Sequence, residues 1–145
     1  MMPSEFAGIE RRLDELSERL ARLQPLAEKP RTEFDQDPYL RDIVEHNLQD
    51  AAQCCLDVSH RIISLEGAQK PVDYYEAILR MGELGVLPTD FARSLAPLAG
   101  FRNILVLGYL ALDWDEIYRA LHRLDDLYSF AEFVRDWLRD RTSSP

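Results

Sequence analysis

The chain contains only two cysteines, and they are neighbours, Cys54 and Cys55. Adjacent side chains on a helix point about 100° apart, so this pair does not form a disulfide with itself. The sequence has no CxxC motif and no cluster of cysteine with histidine, which argues against a disulfide framework and against a zinc site. We therefore expect no metal and no cofactor, and we interpret both thiols as small packing side chains.

Positive charge is also scarce. The 145 residues include 17 Lys and Arg against 26 Asp and Glu, a net charge of −9, and the only lysines are Lys29 and Lys70. This balance excludes a polybasic arm for nucleic acids or membrane surfaces, although it leaves room for a local positive cleft. The N-terminal segment lacks the apolar core of a signal peptide, so we expect a cytoplasmic protein.

Strand-like alternation is absent, and apolar residues recur instead at helical steps of three and four. Such stripes run from Ile9 to Leu23, from Leu40 to Leu65 and from Trp114 to Ala131. The first stripe indicates one arm of a helical hairpin, with a dimer seam as the alternative. The whole pattern predicts an all-α antiparallel bundle of about five helices in one domain, 1–145, with residues 1–8 and 141–145 frayed.

Capping residues predict where the helices begin and end. Asp37-Pro38 starts a helix of close to thirty residues that stops at Gly67. Pro71 and Pro88 open two shorter helices, the second bent at Pro97, and Asp113 caps the last helix. We expect Tyr74 and Tyr75 to pack in the core, with stacking on nucleic-acid bases as the alternative.

The segment from Ser94 to Leu112 has nineteen residues and a single charge, Arg102. Pro97, Gly100 and the polar pair Arg102-Asn103 argue against a membrane span, because a charge at the centre of a spanning helix is costly. We expect instead a helix buried from several sides, inside the bundle or at a dimer interface.

Burial makes Arg102 conspicuous, since a buried guanidinium must be paired or must face a cleft. It either pairs with an acid such as Asp57 on the long helix or presents its planar fork to an anion such as phosphate. Asn103 follows it directly, and Tyr109 lies two helical turns further on, hence on nearly the same face.

The stretch Gly100-Phe-Arg-Asn-Ile-Leu-Val-Leu-Gly-Tyr109 resembles the signature of the HepT-like toxins, a branch of the HEPN superfamily. That signature is an Arg-Asn pair, a short apolar run and then His-x-Tyr, and the likeness extends from about residue 9 to 140. The resemblance implies a five-helix bundle that forms a homodimer and cuts RNA without a metal. It also implies an MntA-like nucleotidyltransferase antitoxin that silences the toxin by adding AMP to the motif tyrosine.

Carried over by position, Arg102 binds the scissile phosphate, Asn103 supports the site and Tyr109 accepts the AMP. Asp57 is a candidate partner that would hold Arg102 in place from outside the site. The family's histidine position is occupied by Leu107, so the expected proton-transfer group is absent. Either the chain is a natural non-catalytic homologue, or one base change has inactivated a toxic nuclease during its expression.

The chain has three histidines, His46, His60 and His122, and we expect each to be solvated or structural, with His60 the one to inspect. Two functions remain open. The first is an RNA-cleaving toxin impaired at Leu107. The second is a non-catalytic helical module that dimerises or binds a nucleotidyltransferase or RNA.

Overall fold

The structure, a computed structural model, describes residues 4–100 and 114–143. These two ranges contain no β-strand and form the helices α1 (Ser4–Ala27), α2 (Arg31–Gln36), α3 (Pro38–Leu65), α4 (Tyr74–Glu83), α5 (Thr89–Leu95), α6 (Trp114–Leu121) and α7 (Leu124–Ser143). The all-α class predicted from the helical periodicity is confirmed. The described helices number seven rather than about five, because α2 was not predicted and the last predicted helix is divided.

The long helices α1 and α3 pair side by side and run in opposite directions. Arg12 Nε lies 3.7 Å from a carboxylate oxygen of Asp57, and Arg19 Nη2 lies 3.3 Å from one of Asp50. Seven residues forward along α1 therefore correspond to seven residues backward along α3, as expected for antiparallel helices. The apolar stripe of α1 has no exposed surface at Ile9, Leu13, Leu16, Leu20 and Leu23. The hairpin interpretation is confirmed, and the alternative dimer seam is wrong because the same chain already covers the stripe.

The predicted ends of α3 are confirmed. The Asp37 carboxylate accepts hydrogen bonds from the backbone N–H groups of Tyr39 and Leu40, at 3.0 and 3.3 Å, and Pro38 occupies the first turn. The helix spans 28 residues and stops just before Gly67, whose φ of 66° suits a residue without a side chain. Both cysteines lie on this helix and are buried and free, as the sequence predicts.

The bend expected at Pro97 is confirmed, and it takes the form of an interruption of the helix. Helix α5 ends at Leu95, the chain turns at residues 96 and 97, and residues 98–100 are helical again. Pro97 has no backbone N–H to continue the α-helical ladder, and the Gly100 N–H bonds back to the Pro97 carbonyl at 3.1 Å. The remainder of that apolar run, 101–112, lies outside the described residues.

The expected single last helix is also interrupted. The N–H groups of His122 and Arg123 bond to the carbonyls of Arg119 and Ala120, each at 3.0 Å, which is a tighter, three-residue turn. This turn separates α6 from α7. At the chain ends, α1 begins at Ser4 and Phe6 packs edge-on against Trp137 of α7, with ring centres 6.0 Å apart, inside the segment expected to fray.

The core lies between α1, α3, α4 and α7, with α3 in contact with α1, α4 and α7, and α7 also in contact with α1. Within the described ranges, none of the helices is both long enough and apolar enough to cross a membrane. The boundary of a single domain at 1–145 stays a prediction.

Candidate functional site

The four motif residues Arg102, Asn103, Leu107 and Tyr109 lie outside the described residues, as does the predicted cap Asp113. Their assigned roles stay predictions. The structure instead defines the two flanks between which this segment must run, the turn ending at Gly100 and the start of α6 at Trp114. These flanks decide which other side chains can belong to the same site.

The flank before the motif is held in place by two buried alanines. Ala96 has no exposed surface and Ala99 is 4% exposed. The Ala99 N–H donates to the Ala96 carbonyl at 3.1 Å, which closes the turn. Gly100 is exposed, so the chain lies at the surface of the described structure two positions before Arg102, the first motif residue.

The flank after the motif is held by α2. Phe34 of α2 has no exposed surface, and its ring lies 5.6 Å from that of Trp114 and 6.0 Å from that of Tyr118, centre to centre. Arg31 stands over the Tyr118 ring at 5.6 Å and forms an ion pair with Asp115. Helix α2 has six residues and one buried apolar side chain, too few for a periodic signal, which is why sequence reasoning missed it.

Asp57, the candidate partner of Arg102, already has partners on α1 and α3. Its carboxylate lies 3.7 Å from Arg12 Nε and accepts a hydrogen bond from Gln53 Nε2 at 2.8 Å. The side chain of Asp57 remains 30% exposed. Arg12 can therefore balance the charge of Asp57 without Arg102, and the role of Asp57 in holding Arg102 stays a prediction.

The three histidines have different surroundings. His46 is exposed and its Nε2 lies 3.4 Å from Asp50, so it belongs to a surface pair. His60 is half-buried, meets the Tyr74 ring edge-on at 5.1 Å, and has a buried Nε2 without a hydrogen-bond partner in the described part of the chain. His122 is exposed, as expected, yet its Nδ1 lies 2.8 Å from the Tyr118 carbonyl and its ring 4.4 Å from the Tyr118 ring.

A cavity of about 860 Å³, here called the corner cavity, lies between the end of α5 and the turn joining α6 to α7. Its described walls include the apolar side chains of Leu48, Leu95, Leu98 and Leu127. Charged and titratable side chains of α6, α7 and the turn between them also line it, as does Gly100. The corner cavity therefore opens next to the motif segment, and sequence reasoning did not identify it because its walls come from four separate elements.

A second cavity of about 560 Å³ lies on the other side of Gly100. His60, Lys70 and Tyr75 are among the described residues that line it. Tyr75 is 49% exposed, so the expected core position of this side chain is wrong, whereas Tyr74 is half-buried and packs against the core. The difference follows from the first turn of α4, where neighbouring side chains point to different faces.

The described residues contain no group of three or more His, Cys, Asp or Glu side chains placed to hold a metal ion. The thiols are poor ligands as well as poor nucleophiles in the folded state. Burial raises the pKa of Cys54 to about 12 and that of Cys55 well above its usual value.

Comparison with curated proteins identifies two nucleases. A "tRNA nuclease HepT" of Aphanizomenon flos-aquae is 30% identical over 79 residues, which are 54% of this chain and 54% of that protein. An "mRNA nuclease HepT" of Shewanella oneidensis is 25% identical over 105 residues, 72% of this chain and 79% of that protein. The chain spans about half the length of the first relative and more of the second.

Solved structures share the fold. The tri-AMPylated HEPN toxin of Shewanella oneidensis, solved in complex with an MNT antitoxin, superposes with a TM-score of 0.80 at 22% identity, covering 93% of this chain and 99% of that one. YutE, a cytosolic protein of Bacillus subtilis, superposes with a TM-score of 0.83 at 21% identity, covering 100% and 98%. At these identities the likeness establishes a common helical architecture.

A sequence model of the family described as ribonuclease HepT-like matches residues 13–134, which is most of the chain. The match includes the motif segment and both of its flanks. By this match, and in agreement with the motif and the fold, the chain belongs to the ribonuclease HepT-like family.

Proposed function

We propose that this protein is the RNA-cleaving toxin of a HepT/MntA-type toxin–antitoxin pair, in a form whose nuclease activity is impaired by Leu107. The observation that carries the proposal is an otherwise whole motif, Arg102-Asn103 and Tyr109 in frame, within a chain of the HepT-like family. The two similar nucleases, named for tRNA and mRNA, support RNA as the substrate class.

The chemistry assigned to the motif is metal-independent. The RNA 2′-oxygen attacks the neighbouring phosphorus, the bond to the 5′-oxygen breaks, one proton leaves the 2′-hydroxyl and another reaches the leaving oxygen. Arg102 binds the phosphate and stabilises its growing negative charge. A histidine at position 107 would move the protons, a contribution of about 10²–10⁴ in rate that leucine cannot supply.

We propose that neutralisation occurs at Tyr109. An MntA-like nucleotidyltransferase transfers AMP from ATP to the phenolic oxygen and releases pyrophosphate. The solved complex of a tri-AMPylated HEPN toxin with an MNT antitoxin supports this pairing by analogy. The working unit in the proposal is a cytoplasmic homodimer in which two motif segments share one cleft, and sedimentation of the purified chain tests its oligomeric state.

Leu107 itself favours the second candidate function, a non-catalytic helical module that binds RNA or the nucleotidyltransferase. The discriminating experiment restores the missing group. In EDTA, Leu107→His is expected to cleave RNA at least about 10²-fold faster than the parent chain, because an imidazole titrates near neutral pH.

Leu107→Asn is the matched control, since it adds polarity without a titrating group, and it should remain as slow as the parent. A Leu107→His variant that is inert in vitro and harmless in cells would rule out the impaired-toxin account and leave the binding module. The coding sequence of the source adds a check, namely whether codon 107 encodes His and a nucleotidyltransferase gene lies beside it.

The modification claim has its own test. The chain is incubated with the cognate nucleotidyltransferase and ATP, and the mass of the intact protein is measured by mass spectrometry. We expect a gain of one or more adenylyl groups that is lost in Tyr109→Phe and retained in Tyr39→Phe, whose native side chain is 79% exposed. A gain that survives Tyr109→Phe would assign the AMP to another residue.

Arg102→Ala separates the two interpretations of the single charge in the apolar run. If the guanidinium meets phosphate, the variant binds RNA more weakly and keeps its stability. Unchanged RNA binding together with a lower free energy of unfolding would identify Arg102 as half of a structural ion pair.

A further inference from the structure

We propose that the corner cavity binds one nucleotide of single-stranded RNA, with the base on its apolar wall and His122, and the phosphates at Arg119 and Arg123. The inference rests on the proposed function for its substrate class. It adds a binding subsite that lies outside the motif segment and is built from α6, α7 and the turn between them.

The size and wall of the cavity fit a nucleotide. Its volume of about 860 Å³ lies within the range of about 300–1,000 Å³ that is typical of small-molecule sites. Leucine side chains form part of the described wall, among them Leu95, Leu98 and Leu127. A base offers two apolar faces to such a wall and keeps its polar edge for the rim.

His122 is an exposed side chain that is nevertheless held in place. Its Nδ1 lies 2.8 Å from the Tyr118 carbonyl, which can only accept, so Nδ1 carries a proton and donates. The ring also rests against the Tyr118 ring at 4.4 Å between centres. The tautomer is thereby set, and Nε2 of the neutral imidazole is left as an acceptor for a base edge or a ribose hydroxyl.

Tyr118 in turn contacts two side chains of α2, the Phe34 ring and the Arg31 guanidinium. The stacking platform is therefore anchored to the buried part of the molecule by two successive aromatic contacts. Such an arrangement lowers the entropy cost of binding, because the platform is ordered before a base arrives.

Two arginines supply the anion contacts. Arg123 Nη2 lies 3.0 Å from Asp126, so that pair is close to neutral by itself. Arg119 forms no ion pair with any described carboxylate, although Glu116 also lines the cavity. In a chain with a net charge of −9, two arginines that line one cavity beside a hydrogen-bonded histidine favour a phosphate-bearing ligand over a cationic one.

The cavity is also close along the chain to the proposed cleavage motif. Gly100 lines it and stands two positions before Arg102, so the proposal puts a nucleotide in the cavity next to a phosphate held at Arg102. The proposal thus accounts for RNA binding by a strongly acidic chain through a local site rather than through diffuse surface charge.

The test is fluorescence anisotropy with a labelled, unstructured 12-nucleotide RNA in EDTA. His122→Ala is expected to weaken binding about fivefold or more, the lower end of the loss typical of a stacked base. Arg119→Ala should weaken binding and lower the salt dependence by about one counterion. Arg139→Ala is the matched control, because it removes one exposed charge on the far end of α7, and it should change the affinity less than twofold.

A second arm locates the RNA directly. The same RNA carrying 4-thiouridine is cross-linked by light, and the expected attachment lies in the peptide that contains residues 118–123. Cross-links confined to other peptides, or equal losses in His122→Ala, Arg119→Ala and Arg139→Ala, would overturn the subsite and leave the proposed function intact. If the parent chain binds no RNA, both the subsite and the proposed function are wrong. If His122→Ala and Arg119→Ala change the sedimentation of the chain but not its RNA affinity, the cavity is assigned to contact with a second copy of the chain.

Discussion

The α1–α3 hairpin and the corner around α6 are built in opposite ways. Helices α1 and α3 have 24 and 28 residues and share an apolar seam without exposed surface. Helices α5 and α6 have seven and eight residues, are each followed by a tight turn, and line the corner cavity. The hairpin gains stability from continuous packing, whereas the corner leaves space and exposed polar groups where binding is proposed.

Phe34 joins the two regions, so its removal should have the largest effect. Phe34→Ala deletes a fully buried ring that contacts Trp114 and Tyr118, and we expect a loss of about 3–5 kcal/mol in the free energy of unfolding. Urea denaturation measures the loss, and hydrogen exchange shows whether 114–121 opens before the hairpin. Phe6→Ala is the control, since Phe6 is only half-buried, and an equal loss there would contradict a special role for Phe34.

A pair of leucines compares the two regions directly. Leu16→Ala in the seam should cost about 2–5 kcal/mol, because the rigid hairpin cannot close the space that it leaves. Leu98→Ala on the wall of the corner cavity should cost less, since that side chain is half-buried and already borders open space. Chemical denaturation of both variants decides the matter, and equal losses would mean that the corner is packed as tightly as the hairpin.

The start of α3 tests whether the hairpin depends on its cap as well as on its seam. Asp37→Ala removes the acceptor of two backbone hydrogen bonds and should cost about 1 kcal/mol. Asp37→Asn should restore most of that stability, since asparagine caps nearly as well. Thermal unfolding of the two variants measures the difference, and equal losses would show that the charge rather than the cap matters.

The smallest effect concerns the two cysteines of α3. Because burial holds the pKa of Cys54 at about 12, the folded chain keeps this thiol protonated when an unfolded chain would begin to lose its proton near pH 8.5. The folded state therefore loses a little stability as the pH rises above about 8.5. At pH 8 a thiol reagent should react with neither cysteine until denaturant is added, and rapid labelling of the native chain would show that the hairpin opens.

Local sequence signals were sufficient for the long helices. Asp37-Pro38 and Gly67 mark the ends of α3, and the apolar stripe of α1 is buried as predicted. The short elements were not predictable in the same way. Helix α2 has a single buried residue, Phe34, and the division between α6 and α7 at His122 depends on a turn that interrupts an otherwise continuous helical pattern.

The candidate site shows the same contrast between what local sequence predicts and what tertiary contacts decide. The motif from Arg102 to Tyr109, and the leucine that replaces its histidine, are legible in sequence because they are contiguous. The partner of Asp57 could not be predicted from sequence, since Arg12 lies 45 positions away and contacts Asp57 only when α1 packs against α3. Sequence by itself determined the helical class, the long elements and the family, because these follow from periodicity, capping and a local motif. The tertiary structure alone decided that His122 lies beside a cavity and that Nε2 of His60 is buried, because the cavity walls and the Tyr74 ring beside His60 come from helices separated along the chain.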